Sequence, residues 1–128
     1  MKLLGIDYGR KKVGLAISEG LISEPLKVIR YQKENELFRK LKNVVQSENV
    51  EIIIIGLSEG KMAEETKIFG RKLKEKLKLS VVFQDESLST QIAQQLSISA
   101  NIKRQKRKKM EDAYSASVIL QSYLDTND

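Results

Sequence analysis

Acidic residues stand at three places where the sequence predicts that a strand ends or a helix begins. Asp7 follows a short apolar run, the pair Asp85-Glu86 follows Val81-Val82-Phe83, and Asp112 opens the predicted last helix. Carboxylates that are placed together repel each other, and a cation between them removes that repulsion. Because the donors are all oxygens, the pattern favours Mg²⁺ or Mn²⁺. Two such ions can activate water and stabilise a leaving oxygen during phosphodiester cleavage.

Each of these acids also has a purely structural explanation. Asp7 can cap the turn that follows it, and Asp85 can cap the turn into the next helix. Asp112 near a helix N-terminus is favoured by the helix dipole alone. The joint placement of the three positions beside basic residues is what favours chemistry.

The composition excludes several kinds of site. The 128 residues contain no His and no Cys, so zinc sites of thiolate or imidazole and the Ser-His-Asp or Cys-His types of catalysis are excluded. With 41% hydrophobic residues, the length predicts one ordinary domain over residues 1–128. No apolar stretch is long enough to span a bilayer and no signal peptide is visible, and the lack of Cys fits a cytoplasmic protein.

Basic residues form two groups next to these acids, and the formal charge is +6. One group lies in the turn after Asp7, and the other lies in a predicted loop just before Asp112. Runs of like charge are often only solvated, but this position favours contact with a nucleic-acid backbone. The candidates for phosphate contact are Arg10, Lys11, Lys12, Lys103, Arg104, Lys106 and Arg107.

The hydrophobic periodicity predicts an α/β fold with a mixed sheet. The expected strands are 2–8, 13–18, 25–30, 52–55 and 81–83, and the expected helices are 34–48, 61–78, Ser87 or Ser89 to about Leu96, and about Met110 to Leu124. Pro25 suits the start or the edge of the third strand. The helical crossover makes the last two strands parallel to each other. If the strand at 52–55 is also parallel to the first strand, the ends marked by Asp7, Gly56 and Glu86 share one edge of the sheet, where α/β proteins bind ligands.

Three segments resemble the YqgF (RuvX) family in motif, order and spacing, and the likeness runs nearly from end to end. They are Gly5-Ile6-Asp7-Tyr8-Gly9 with Val13-Gly14-Leu15-Ala16, then Val82-Phe83-Gln84-Asp85-Glu86-Ser87-Leu88-Ser89-Thr90, and Asp112-Ala113-Tyr114-Ser115-Ala116 with Ile119-Leu120-Gln121. The resemblance implies a ribonuclease-H-like fold, here with a five-stranded mixed sheet flanked by helices. It also implies that Asp7, Glu86 and Asp112 bind the metal and are catalytic, with Asp85 as a rival for the middle position.

Members of that family are described as Holliday junction resolvases or as nucleases that mature the 5′ end of pre-16S ribosomal RNA. The resemblance therefore implies a metal-dependent endonuclease, a hydrolase that acts on structured RNA, with the small-subunit precursor as a partner. Two alternatives stay open. The first is a resolvase of branched DNA, which would have to be a dimer rather than a monomer because it cuts two strands symmetrically. The second is a nucleic-acid-binding module without catalysis.

Two departures from the family pattern affect the expected substrate contacts. The usual Gly-Leu-Pro is Gly56-Leu57-Ser58 here, followed by a shortened loop. The usual Asp-Glu-Arg is Asp85-Glu86-Ser87, so one expected cation is missing. The acids themselves are intact, and the basic run before Asp112 can replace the lost Arg.

Overall fold

The structure is a computed structural model that describes residues 1–58, 60–85 and 104–126, with only the backbone described for 104–108. Its strands are β1 (Leu3–Asp7), β2 (Lys12–Ser18), β3 (Ser23–Arg30), β4 (Ile52–Leu57) and β5 (Ser80–Asp85). Its helices are α1 (Glu34–Glu48), α2 (Lys61–Leu77) and α3 (Arg104–Thr126). The predicted helix between Ser87 or Ser89 and Leu96 falls outside the described residues.

The five strands form one mixed sheet in the order β3-β2-β1-β4-β5. The hairpin strands β1, β2 and β3 pair antiparallel, whereas β4 pairs parallel with β1 and with β5. This follows from the connections, because short turns join antiparallel neighbours and helical crossovers join parallel ones. The mixed five-stranded sheet predicted from the sequence is confirmed.

Helices cover both faces of the sheet. Helices α1 and α2 enclose the larger core, where Leu37, Leu41 and Phe69 pack on residues such as Ile53 and Ile55. Helix α3 covers the other face with a smaller core, formed by Leu3, Ala16, Ile54, Ala116, Ile119 and Leu120. Burial on both faces explains why residues 52–55 are an unbroken run of isoleucine rather than an alternating pattern.

Strand β3 is an edge strand, as Pro25 predicted. Pro25 pairs with Ala16, and the register shifts between Leu15 and Ala16, which leaves room for a β-bulge. A residue without a backbone N–H is tolerated at such a place, because no second neighbour needs the donor.

The prediction for the last helix was wrong at its beginning. Helix α3 starts at Arg104, not near Met110, so the basic segment from Arg104 onward is helical and Asp112 lies about two turns inside the helix. Lys, Arg, Gln and Met are good helix formers, and no Gly or Pro interrupts residues 104–126. Because the dipole effect is confined to the first turn, it does not explain Asp112.

Helix α3 runs along the sheet from the end of β1 to the β2–β3 connection. At its far end, the Gln121 side chain accepts a hydrogen bond from the Ser23 N–H (2.9 Å) and donates one to the Leu21 carbonyl (3.1 Å). The Ser23 hydroxyl donates to the Ser117 carbonyl at 2.6 Å. These bonds fix where α3 lies along its axis.

Candidate active site

Asp7 is the last residue of β1 and lies on the face of the sheet that α3 covers. Side chains alternate along a strand, so Leu3, Gly5 and Asp7 share one face. Leu3 belongs to the core beneath α3, and Gly5 lies directly against Leu120. The Asp7 side chain, which is partly buried, is therefore at the edge of the sheet on the α3 side.

Gly14 brings Asp112 to the same place. It is the register partner of Asp7 across the β1–β2 pair. A Cβ atom on Gly14 would lie 1.9 Å from the Asp112 carbonyl oxygen, so the backbone of α3 rests directly on β2 at this point. Paired residues of antiparallel strands have Cα atoms about 4.5–5.5 Å apart. Asp112 is thus attached to the sheet one strand away from Asp7.

A second close approach sets the path of the helix. A Cβ on Gly5 would lie 2.8 Å from the Leu120 Cβ and 2.9 Å from the Ala116 carbonyl oxygen. Gly5, its register partner Ala16, which is buried, and Gly14 form a shallow strip on which α3 lies. At Gly14 the backbone of α3 lies against the strand itself, so the backbone position of Asp112 depends little on side-chain rotamers.

Lys12 forms an ion pair with the Asp112 carboxylate. The Lys12 Nζ lies 3.0 Å from the Asp112 Oδ2, with the two side chains 43% and 26% exposed. Lys12 stands two residues before Gly14 in β2 and so shares its face of the sheet. The sequence suggested a phosphate contact for Lys12, whereas the structure pairs it with a candidate metal ligand.

The middle acidic position is only partly described. Asp85 is exposed at the end of β5 and alternates with Val81 and Phe83, which pack on the α1/α2 core. The alternation therefore puts Asp85 on the face opposite Asp7. Its neighbour Gln84 is on the α3 side, where its amide donates to the Ser122 hydroxyl at 3.2 Å.

Glu86 and Lys103 lie outside the described residues, as do the side chains of Arg104, Lys106 and Arg107. Over residues 1–58, 60–85 and 109–126, no three acidic side chains gather closely enough to hold a metal ion. Of the three predicted acids, the structure therefore brings Asp7 and Asp112 to one place, and the rival Asp85 lies on the other face.

The turn after Asp7 is also held on the face of the sheet that α1 and α2 cover. The contact is an ion pair that the sequence did not predict. Arg10 donates two hydrogen bonds to the Glu65 carboxylate of α2, at 2.9 and 2.7 Å. This pairing raises the pKa of Arg10 and lowers the pKa of Glu65. Arg10 thus points towards α2 and Lys12 towards α3, while Lys11 between them is exposed.

Aromatic residues hold the same turn. The Tyr8 ring stacks on Phe69 with centroids 4.3 Å apart, and the Tyr31 hydroxyl donates to the Gly9 carbonyl. Burial, with the neighbouring Tyr8, raises the pKa of the Tyr31 phenol well above its ordinary value. These contacts on the α1/α2 side hold the turn and give Asp7 a fixed place. Glu65 and Tyr31 are distant in sequence from Asp7, and no local pattern could have identified them.

Solved structures with a similar overall fold define the class of fold. The structure is similar to that of the fowlpox virus Holliday junction resolvase, with a TM-score of 0.67 and 12% identity over 98% of this chain and 99% of that chain. It is also similar to Thermus thermophilus RuvC in complex with a Holliday junction substrate, with a TM-score of 0.63 and 12% identity over 99% and 96% of the two chains. The fold is ribonuclease-H-like, as expected.

The sequence comparison narrows this class to a family. The family model described as "RuvX: Holliday junction resolvase" matches residues 1–126, and the chain belongs to that family. A relative in Bacillus cytotoxicus is 39% identical over 98% of this chain and 99% of its own length, and one in Geobacillus kaustophilus is 37% identical over the same shares. Both carry the name "Putative pre-16S rRNA nuclease". Within the part of the chain that the structure describes, no helix could cross a membrane.

Proposed function

We propose that this protein is a nuclease that hydrolyses phosphodiester bonds with a divalent ion, Mg²⁺ or Mn²⁺, held by Asp7, Glu86 and Asp112. The observation that carries the proposal is the contact at Gly14, which attaches Asp112 to the sheet beside Asp7. The two acids are 105 positions apart in sequence, and a shared cation would remove the repulsion between carboxylates that meet at one strand end.

The donors around this place fit a hard divalent ion. Both described acids are carboxylates, and the chain has no His or Cys to favour a softer metal. Lys12 already places a positive charge against Asp112, so the site favours a cation. When bound, such an ion supplies an activated water and stabilises the leaving oxygen. The protein's part is to hold the carboxylates in fixed positions, through the contact at Gly14 and the turn that Arg10 and Tyr31 fix.

We propose pre-16S ribosomal RNA as the substrate, with cleavage that matures its 5′ end in the cytoplasm. The names of the full-length relatives support this substrate, and the net charge of +6 supports a polyanion. The N-terminal turns of α3 support it further. They contain Arg104, Lys106 and Arg107 and no acidic residue in the first turn, where the helix dipole also favours anions.

Cleavage of branched DNA is the second candidate, because the family description and the two similar structures concern Holliday junction resolvases. A resolvase cuts two strands related by symmetry and so acts as a dimer. Light scattering separates the candidates, since a strict monomer on a four-way junction contradicts resolvase activity. A module that binds without catalysis would instead bind RNA in EDTA and would not cleave it with any metal.

The test is substitution of the acids, with cleavage of precursor RNA and of a four-way DNA junction measured in Mg²⁺. We expect Asp7→Asn and Asp112→Asn to lose roughly 100-fold or more in rate, because an amide removes the charge that holds the ion. Asp85→Asn is the matched control on the other face and should keep nearly full activity. Glu86→Gln should behave like the Asp7 variant.

Circular dichroism and thermal unfolding establish that each variant is folded. If Asp7→Asn cleaves both substrates at the wild-type rate, the site is misassigned. If Asp85→Asn loses activity and Glu86→Gln does not, the middle ligand is Asp85.

A further inference from the structure

We propose that Lys12 is a displaceable counter-cation: its ammonium group neutralises Asp112 in the metal-free protein, and metal binding releases it to bind a substrate phosphate. The proposal rests on the proposed function, because it takes Asp112 as a metal ligand. It adds a residue whose partner changes between the free and the metal-bound protein, and which thereby couples metal binding to nucleic-acid binding.

The contact that carries the proposal joins two well-fixed backbones. Lys12 begins β2, and Asp112 is fixed against the same strand by its contact with Gly14. The Nζ–Oδ2 distance is 3.0 Å, so the ammonium lies on the carboxylate that the ion would bind. The two backbones cannot separate easily, so the side chain of Lys12 is what can move.

Electrostatic repulsion determines whether the metal ion or the Lys12 ammonium stays at Asp112. A divalent ion and an ammonium on one carboxylate repel each other across a few ångströms, where interactions are screened less than in bulk water. A half-exposed Lys–Asp pair is a weak contact and cannot balance that repulsion. Lys12, on a flexible four-carbon side chain that is 43% exposed, can turn outward into solvent at small cost.

The released ammonium stays close to where phosphate must come. The Cα of Lys12 remains at the sheet edge beside Asp112, so the ammonium stays within reach of a phosphate bound at the ion. Arg10 offers the contrast, because its two hydrogen bonds go to Glu65 on the other face and do not involve the candidate metal ligands. We therefore expect the metal to release Lys12 but to leave the Arg10–Glu65 pair intact.

The first test measures Mn²⁺ affinity without RNA, by electron paramagnetic resonance of the free ion, in wild type, Lys12→Met and Lys11→Met. Both substitutions remove one positive charge from the same turn, but only Lys12 is paired with Asp112. We expect Lys12→Met to bind Mn²⁺ about two- to fivefold more tightly than wild type, and Lys11→Met to change affinity by less than about twofold. Equal effects of the two substitutions, or weaker binding by Lys12→Met, would overturn the proposal.

The second test follows the lysine ammonium groups by ¹H–¹⁵N correlation spectra during a Mg²⁺ titration, with Lys12→Met used to assign the signal. We expect the Lys12 ammonium signal to shift or broaden as Mg²⁺ binds. A Lys12 signal that does not move at saturating Mg²⁺ contradicts displacement.

Asp112→Asn distinguishes failure of the proposed metal site from failure of the proposed role of Lys12. If this variant binds Mn²⁺ as wild type does, the metal site is wrong and the role of Lys12 falls with it. If Asp112→Asn loses Mn²⁺ while Lys12→Met and Lys11→Met behave alike, the metal site stands and only the role of Lys12 is wrong.

Discussion

At the scale of single residues, the acids were predictable and the glycine that brings them together was not. Asp7 and Asp112 each follow or lie within an element with a clear hydrophobic pattern, so the sequence could identify them as candidate metal ligands. Gly14 looks like an ordinary strand glycine, and its role follows only from the backbone of α3 lying 1.9 Å from where its Cβ would be. Such close approaches depend on tertiary packing, which no local pattern encodes.

Gly14→Ala should therefore damage both stability and catalysis. The added methyl meets backbone atoms of Asp112, which cannot move without shifting the helix, so we expect a loss of about 2–3 kcal/mol in the free energy of unfolding. A displaced Asp112 should lower the cleavage rate at least about tenfold. Urea denaturation and single-turnover cleavage measure the two effects.

Gly70→Ala is the comparison for that experiment. Its added methyl meets the end of the Phe83 ring at 2.5 Å, a side chain that can shift, and Ala gains about 1 kcal/mol in helix propensity. We expect its net change in unfolding free energy to stay within about 1 kcal/mol. Equal losses in the two variants would mean that the packing of α3 on Gly14 is not special.

The Arg10–Glu65 pair makes a prediction about pH. Arg10 lowers the pKa of Glu65 below its ordinary 4.5 in the folded protein. The stabilisation of the fold by the ion pair is therefore fully present above pH 4.5, and it is lost as the pH falls through the pKa of Glu65 in the folded protein. Glu65→Gln should be less stable than wild type at pH 7, and the difference should be smaller at pH 3. Urea denaturation at the two pH values measures this.

Glu64→Gln is the control for that experiment. Glu64 lies next to Glu65 on α2, but its pair with Lys67 has a long N–O distance of 4.0 Å. We expect almost no change at either pH. A Glu65→Gln deficit that is as large at pH 3 as at pH 7 would mean that packing of the side chain, rather than its charge, stabilises the turn.

At the scale of elements, the sequence predicted α1 within its observed bounds and missed the start of α3. The amphipathic pattern of α1 gives clear limits, whereas residues 104–109 have no apolar periodicity and so predict a loop. Their helix-forming side chains, continued from a well-packed helix, explain the observed start at Arg104. Repulsion among like charges at a positive helix terminus opposes that start, and a bound anion would relieve it.

This basic segment should dominate the salt dependence of RNA binding. We expect replacement of Lys103, Arg104, Lys106 and Arg107 by Gln, which keeps helix propensity, to weaken binding in EDTA. The slope of log affinity against log salt should fall by roughly three, because each phosphate that is no longer neutralised removes about 0.7–0.9 from it. Fluorescence anisotropy at several salt concentrations measures the slope.

A variant with the same loss of charge elsewhere controls for net charge. Arg39, Lys42, Lys74 and Lys78 are exposed and belong to the α1/α2 side of the sheet, away from α3. Their replacement by Gln should change the slope much less. If both variants lower it equally, binding follows overall charge and the segment before Asp112 has no particular role.

At the scale of the whole molecule, the sequence predicted a mixed sheet with antiparallel hairpins and parallel later strands, and the structure confirms both. The strand order β3-β2-β1-β4-β5 is known only from the structure. The face of the sheet on which Asp85 lies could not be predicted from the sequence either. Alternation along β5 separates Asp85 from Asp7 only when the register of the sheet is known. That residues 1–128 form a single domain stays a prediction, which one cooperative unfolding transition would test.

The length of α3 before Asp112 has a further consequence for how the substrate lies. Arg104 precedes Asp112 by about 12 Å along the helix axis, and this stretch continues past the end of β1. At about 3.4 Å per nucleotide of a helical strand, that distance corresponds to about three to four nucleotides. We therefore expect an asymmetric footprint: hydroxyl-radical protection should extend three to four nucleotides on one side of the scissile bond, and should shrink towards it when the basic residues are replaced.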